Sequence, residues 1–220
     1  MIKFLKRSLP YFGALIGSVT LVACSGLPGG SDLDAITADV VKRSFRDEGI
    51  VKTSVLDIDE TLIACNQADV SGKPIDPVTE NRLAEANLKT IKWPSDGNFV
   101  GDWREGEKLA QSGRGLTYTD TASTPNGGNC YNCHQITKEE ISFGTIGPSL
   151  YNYGKIRGVK DPNSAESRGI VQYTWGKIWN GKAYNVCSNM PRAGHKGILG
   201  EAQVRNIMAL LLDPKSPVNQ

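Results

Sequence analysis

Residues 130–134 read Cys130-Tyr131-Asn132-Cys133-His134, a C-x-x-C-H run that constrains the chain more than any other stretch of it. Two thiols at this spacing can bond both vinyl groups of one haem, and the adjoining histidine then lies under the ring as an iron ligand. A zinc knuckle on the same three residues would need a fourth ligand, usually supplied by a second closely spaced Cys/His pair. Cys65, Cys187 and His195 stand singly. The spacing therefore predicts one haem c, held covalently by Cys130 and Cys133, with His134 as its proximal ligand.

Haem attachment of this kind takes place outside the cytoplasm, and the N-terminus agrees with that. Lys3, Lys6 and Arg7 precede an apolar stretch from Leu9 to Val22 that is interrupted by Pro10, Gly13 and Gly17. This is the layout of a secretory signal rather than a membrane span. It ends in Leu21-Val22-Ala23-Cys24, which looks like a bacterial lipobox. Residues 1–23 are thus expected to be removed, and Cys24 to carry acyl chains that anchor the protein to a membrane without spanning it. Ordinary cleavage near Ala23, leaving Cys24 a plain thiol, is the alternative. The expected location is the periplasm.

Five cysteines are present. Two go to haem and one to lipid, which leaves Cys65 and Cys187. An oxidising compartment favours pairing them, although spacing alone does not make them neighbours. The formal net charge of +2 is slight, and no basic patch points to nucleic acid.

Along the chain, residues 24–95 read as a Gly- and Ser-rich tether followed by a helical N-terminal extension, and residues 96–220 as a haem domain. Within the extension, residues 34–47 have helical composition. Residues 78–91 form a second helical stretch with Leu83, Ala84, Leu88 and Ile91 on one side. Between them, Asp57-Ile58-Asp59-Glu60-Thr61 matches the D-x-D-x-T nucleophile motif of haloacid-dehalogenase-type phosphatases. Such enzymes need a doubly wound parallel sheet and further carboxylates for magnesium. The stretch from Thr61 to Cys130 does not alternate strand and helix, so the motif reads as an acidic surface segment beside Cys65.

In the haem domain, Asp102 is a candidate N-cap for a helix whose buried stripe is Trp103, Gly106, Leu109 and Ala110, with Gly113 as its stop. Residues 114–129 form a polar, Gly-rich loop that delivers Cys130. Trp175, Ile178 and Trp179 mark another helical stripe. Glu201–Leu212 is the best-defined helix, ended by Asp213-Pro214. The fold class is all-α.

Gly147-Pro148-Ser149-Leu150 resembles the G-P-x-L element of class I cytochromes c. By that resemblance the Pro148 carbonyl accepts the His134 ring proton and fixes the imidazole; otherwise Gly-Pro simply marks a turn. Of three methionines, Met1 leaves with the signal and Met208 sits at a core position beside Val204, Ile207, Leu211 and Leu212. Met190, in Asn189-Met190-Pro191-Arg192, is left as the second axial ligand, a neutral sulfur that raises the haem potential. His195 is the competing ligand.

Longer strings carry a more specific resemblance. Gly101-Asp102-Trp103, Gln111-Ser112-Gly113-Arg114-Gly115, residues 126–135 and residues 144–150 closely resemble the SoxX family of small monohaem cytochromes. So do Lys182-Ala183-Tyr184-Asn185, Cys187-Ser188-Asn189-Met190-Pro191-Arg192, and the closing Leu210-Leu211-Leu212-Asp213-Pro214 with Ser216-Pro217-Val218-Asn219. The resemblance covers roughly residues 60–220; the lipobox departs from the many relatives that are released as soluble proteins. It implies a class I cytochrome c-like haem domain acting as the electron-transfer subunit of an L-cysteine S-thiosulfotransferase. The partner SoxA would carry the catalytic haem, and thiosulfate would be joined oxidatively to a cysteine of the SoxYZ carrier. This chain would pass the electrons to a downstream cytochrome and would supply no catalytic residue itself. A freestanding periplasmic carrier, or the cytochrome subunit of an unrelated dehydrogenase, shares the same haem chemistry.

Overall fold

The computed structural model describes residues 30–220, so the signal, the lipobox with Cys24 and most of the tether lie outside the described residues. Two compact units divide the chain after Phe45. The first contributes one described helix, α1 (Gly30–Ser44), where residues 34–47 had helical composition. Its Leu33, Ile36, Val40 and Val41 are exposed. The second unit, Arg46–Gln220, holds six helices: α2 (Glu60–Ser71), α3 (Pro77–Leu88), α4 (Trp103–Gln111), α5 (Tyr153–Ile156), α6 (Arg168–Trp179) and α7 (Glu201–Leu212). Among the described residues there is no β-strand, only an isolated bridge between Glu48 and Val51. The described fold is all-α.

Helices α4 and α7 form the centre of this unit. Asp102 caps α4 by accepting from the Arg104 N–H at 2.8 Å, as the side-chain oxygen of a good N-cap does. The helix lies so close to α7 that a Cβ on Gly106 would stand 2.1 Å from the Asn206 carbonyl oxygen and 3.0 Å from the Leu210 Cβ. Glycine at 106 is what lets the two backbones meet. Ala110, Val204, Met208 and Leu210 are fully buried around this crossing, so Met208 is a core residue. The C-terminal carbonyls of α7, which have no partner inside the helix, are met by the tail. Ser216 Oγ donates to Leu210 O at 2.5 Å, and Asn219 Nδ2 donates to Leu211 O at 3.1 Å.

Residues 46–95, read as part of an extension, and residues 96–220 form one compact unit. Trp175 of α6 is fully buried, meets Phe99 edge-on at 5.4 Å and stacks on Trp179 at 5.7 Å. Its indole N–H donates to Lys92 O at 2.9 Å. A polar chain runs beside it through three elements. Asn87 of α3 donates to Thr61 Oγ1 of α2 at 2.9 Å, and Asn180, at the end of α6, donates to Asn87 Oδ1 at 3.0 Å and to Thr90 Oγ1 at 2.8 Å. Asn87 and Asn180 are both buried, so their amides require these partners. Of the apolar side read for the second helical stretch, Leu83 and Ile91 are buried, whereas Leu88, at the last turn of α3, is 44 % exposed.

Helix α2 has no clear apolar period: Ile63 and Val70 face solvent. It is set by its ends and its partners. Asp59 caps its start through Leu62 N at 3.0 Å, and Gly72, in the left-handed region at φ +65°, ends it.

Candidate functional site

The loop after α4 is pinned back onto that helix before it reaches the C-x-x-C-H run. Gly128 N donates to Leu109 O at 2.8 Å and Asn129 N to Ser112 O at 2.9 Å. Asn129 takes the left-handed conformation, φ +49°, an αL position asparagine tolerates better than most residues. The chain then enters a short 3-10 turn over Cys130–Asn132. Cys133 N and His134 N both donate to Cys130 O, at 3.1 and 3.0 Å. One turn thereby gathers the two half-buried thiols and the imidazole. Burial pushes the Cys130 thiol up to about 11, so at neutral pH it is a protonated thiol.

A second segment is zipped along this turn. Gly144 N donates to Tyr131 O at 2.8 Å, Gly147 N to Cys133 O at 2.8 Å and Leu150 N to Gln135 O at 2.7 Å. These bonds carry Pro148 to the imidazole, whose Nδ1 lies 2.6 Å from the Pro148 carbonyl oxygen. A carbonyl can only accept, so Nδ1 carries the proton, and in the neutral ring the lone pair is on Nε2. Gly147 lies flat against the ring: a Cβ there would be 2.2 Å from His134 Cε1.

Met190 lies on the loop between α6 and α7. It is half-buried and packs against the same hydrophobic cluster as Cys130, together with Leu109, Phe143, Leu150 and Ile198. Its backbone N–H donates to Ser188 Oγ at 3.2 Å. The ammonium of buried Lys182 donates to Val186 O and to Ser188 O, both at 3.1 Å; burial first, and Arg192 nearby, lower its pKa. Cys187 is joined to Cys65 of α2, with Cα atoms 5.5 Å apart.

Arg192 has a side chain only 7 % exposed and is paired with Asp59 at 2.5 Å. Burial works to raise the Asp59 carboxyl, but the Leu62 N–H and the Arg192 guanidinium outweigh it and hold the group below the usual carboxylate range. The D-x-D-x-T segment lies at the surface beside Cys65, as read, with Asp57, Ile58 and Glu60 exposed, but two of its residues make specific contacts. Asp59 is spent on a helix cap and a guanidinium, and Thr61 is buried against Asn87.

His195 donates its backbone N–H to Trp179 O at 3.0 Å. Burial, with help from Arg192 and Lys196, lowers the imidazole pKa. Trp179 itself is 5 % exposed, and its indole N–H has no partner within the protein. An orphaned buried donor is rare and asks for an acceptor. A haem propionate is such an acceptor, and two thiols, an oriented imidazole, a thioether and an apolar wall complete a donor set of the right chemistry for haem c. The residues present fit the group.

Sequence reasoning missed α2, the Asp59–Arg192 pair, Lys182 and the Asn87–Asn180 chain. The signal that could have found α2 was its punctuation, Asp59 at the start and Gly72 at the end.

No family model matches the chain. An uncharacterized lipoprotein of Aquifex aeolicus (strain VF5) is 40% identical over 134 residues, 60% of this chain and 59% of that protein. The chain thus spans less than two thirds of the length of that relative.

Proposed function

We propose that this protein is a monohaem cytochrome c with a class I-like haem domain, serving as the electron-transfer subunit of a SoxAX-type L-cysteine S-thiosulfotransferase. The observation that carries the haem reading is the 2.6 Å approach of His134 Nδ1 to the Pro148 carbonyl, on a loop that also presents Cys130 and Cys133. A bound haem c supplies a reversible one-electron couple at its iron. The chain's own residues hold and tune it. Cys130 and Cys133 form the thioethers; Pro148 orients His134 and strengthens it as a donor. Met190 offers a neutral sulfur that favours the reduced state and so a higher potential, and Trp179 can donate to a propionate.

Forming a sulfur–sulfur bond between thiosulfate and a SoxYZ cysteine releases two electrons, which this chain would take singly from the SoxA haem and hand to a downstream cytochrome. Every cysteine has another use, so no nucleophile is left for catalysis here. Lipid attachment at Cys24 would hold the protein at a membrane on the periplasmic side, a reading supported by the lipoprotein name of the similar Aquifex protein.

The test is affinity purification of the tagged protein from thiosulfate-grown native cells, with haem staining and mass spectrometry. A stoichiometric second cytochrome, reduced on adding thiosulfate and carrier, is the expected result. A red protein purified alone under gentle conditions would assign it to a freestanding carrier instead. A colourless protein would remove the haem reading altogether. Mass spectrometry of the mature N-terminal peptide tests Cys24: an unmodified residue, or none, ends the anchor.

A further inference from the structure

The loop carrying Met190 is tied to α2 on both sides of the methionine. Before it, Cys187 is bonded to Cys65. After it, Arg192 is paired with Asp59 at 2.5 Å, with the guanidinium buried. Both α2 partners are themselves fixed. Asp59 is locked as the helix N-cap, and α2 is held to the rest of the fold through Thr61, Asn87 and Asn180. From the other side Lys182 grips the Val186 and Ser188 carbonyls. A loop that only needed to connect α6 to α7 would not require a half-buried ion pair and a covalent bond flanking one half-buried thioether.

We infer that α2 is a clamp on the Met190 loop, with Asp59 and Cys65 as positioning residues that hold the thioether at the iron. The inference rests on Met190 being the axial ligand as proposed above. The extension at residues 60–71 is then part of the haem site, acting on the distal side through two contacts and touching no reacting atom itself.

Imidazole added to the ferric protein must displace Met190 before it can bind the iron. Its apparent affinity therefore reads how firmly the loop holds the sulfur, independently of any turnover. Asp59→Asn is the sharpest perturbation, because asparagine keeps the N-cap bond to Leu62 and removes only the charge facing Arg192. We expect Asp59→Asn, and separately Cys65→Ser with Cys187→Ser, each to raise imidazole affinity by about tenfold, to weaken the methionine-to-iron charge-transfer band and to lower the midpoint potential. Asp59→Glu should recover most of the loss. If the serine variants do not fold, the native disulfide can be reduced and its exposed thiols alkylated, and the iron then reoxidised before titration. Asp96→Asn, which breaks an ion pair with Arg205 away from the loop, is the control and should leave imidazole affinity unchanged. Wild-type affinity and potential in the clamp variants, with only the unfolding midpoint lowered, would reduce α2 to a structural staple and overturn the inference. A wild-type protein that binds haem but lacks the charge-transfer band would instead remove Met190 as ligand, and the clamp with it.

Discussion

Replacing Gly147 by alanine would place a methyl carbon 2.2 Å from Cε1, 2.5 Å from Nδ1 and 2.7 Å from Nε2 of His134. Carbon atoms in ordinary contact stand about 3.5 Å apart, so the ring or the segment must give by about 1.3 Å. The segment cannot easily retreat, because Gly147 N and Leu150 N are bonded to Cys133 O and Gln135 O on either side of the contact. Gly147 does not occupy the left-handed region, so alanine costs nothing in backbone conformation and the effect is steric alone. The ring moves, and its bond to Pro148 O goes. Loss of that bond costs about 1 kcal/mol and the forced contact about 1–3 kcal/mol, which together lower stability by about 2–4 kcal/mol. Urea unfolding should show the midpoint fall with an unchanged slope, and, in the proposed cytochrome, haem incorporation should drop in the same samples. Gly169→Ala is the control: nothing lies within 4 Å of its added carbon, and in the first turn of α6 alanine should be neutral or stabilise by up to about 1 kcal/mol. A Gly147→Ala protein within about 0.5 kcal/mol of wild type, with a native haem spectrum, would mean that the imidazole does not sit against this glycine.

Asn180→Ala removes the donor to Asn87 Oδ1 and Thr90 Oγ1 and the acceptor for Lys182 N–H; it should destabilise by about 2–4 kcal/mol in urea, since Asn87 is left buried and short of a partner. A loss below about 1 kcal/mol would show that water replaces the amide there. Reducing the Cys65–Cys187 bond, which closes a loop with a sequence separation of 122, should lower stability by about 2–5 kcal/mol; thermal melts with and without reductant that coincide would refute this. His195 has its pKa lowered by burial and by Arg192 and Lys196, against the opposing pull of Asp59. The unfolded chain therefore takes up a proton near pH 6.5 that the folded imidazole accepts only at lower pH, so this contribution is full above that value and is lost as pH falls through the window below it. Urea midpoints measured from pH 8 to pH 5 should show wild type losing stability relative to His195→Gln, and parallel curves would count against the burial.

Helices whose apolar spacing and end signals agree are legible in the sequence. Residues 201–212 form α7 over the range read from sequence, and Asp102 caps α4 as its position suggested. Helix α2 was not legible, because its stability comes from outside its own pattern. Its contacts include a buried threonine, a disulfide and ion pairs from Asp59 to Arg192 and from Glu60 to Arg82. Periodicity reports burial on one face; it does not report a helix held by ion pairs, a hydroxyl and a disulfide. The D-x-D-x-T string was read as surface, which it is, but the contacts of Asp59 and Thr61 were not legible for the same reason. Its aspartate and threonine are the residue types that cap a helix and bury a hydroxyl, and only long-range partners show which use they serve.

The two halves of the candidate site differ in the same way. The His134 half is built from backbone bonds between residues 131–135 and 144–150, so everything that orients the imidazole lies within a short stretch and a motif can announce it. The Met190 half is built from contacts that reach back to Asp59 and Cys65, and no local string could specify those. Local backbone pairing holds a geometry wherever the segment folds. A geometry assembled from one ion pair, one disulfide and one lysine depends on α2 being docked, and α2 docks through Thr61, Asn87 and Asn180. Loosening of this unit should therefore reach the methionine side before the histidine side. In the proposed cytochrome, that makes the extension a determinant of the potential rather than an appendage to it.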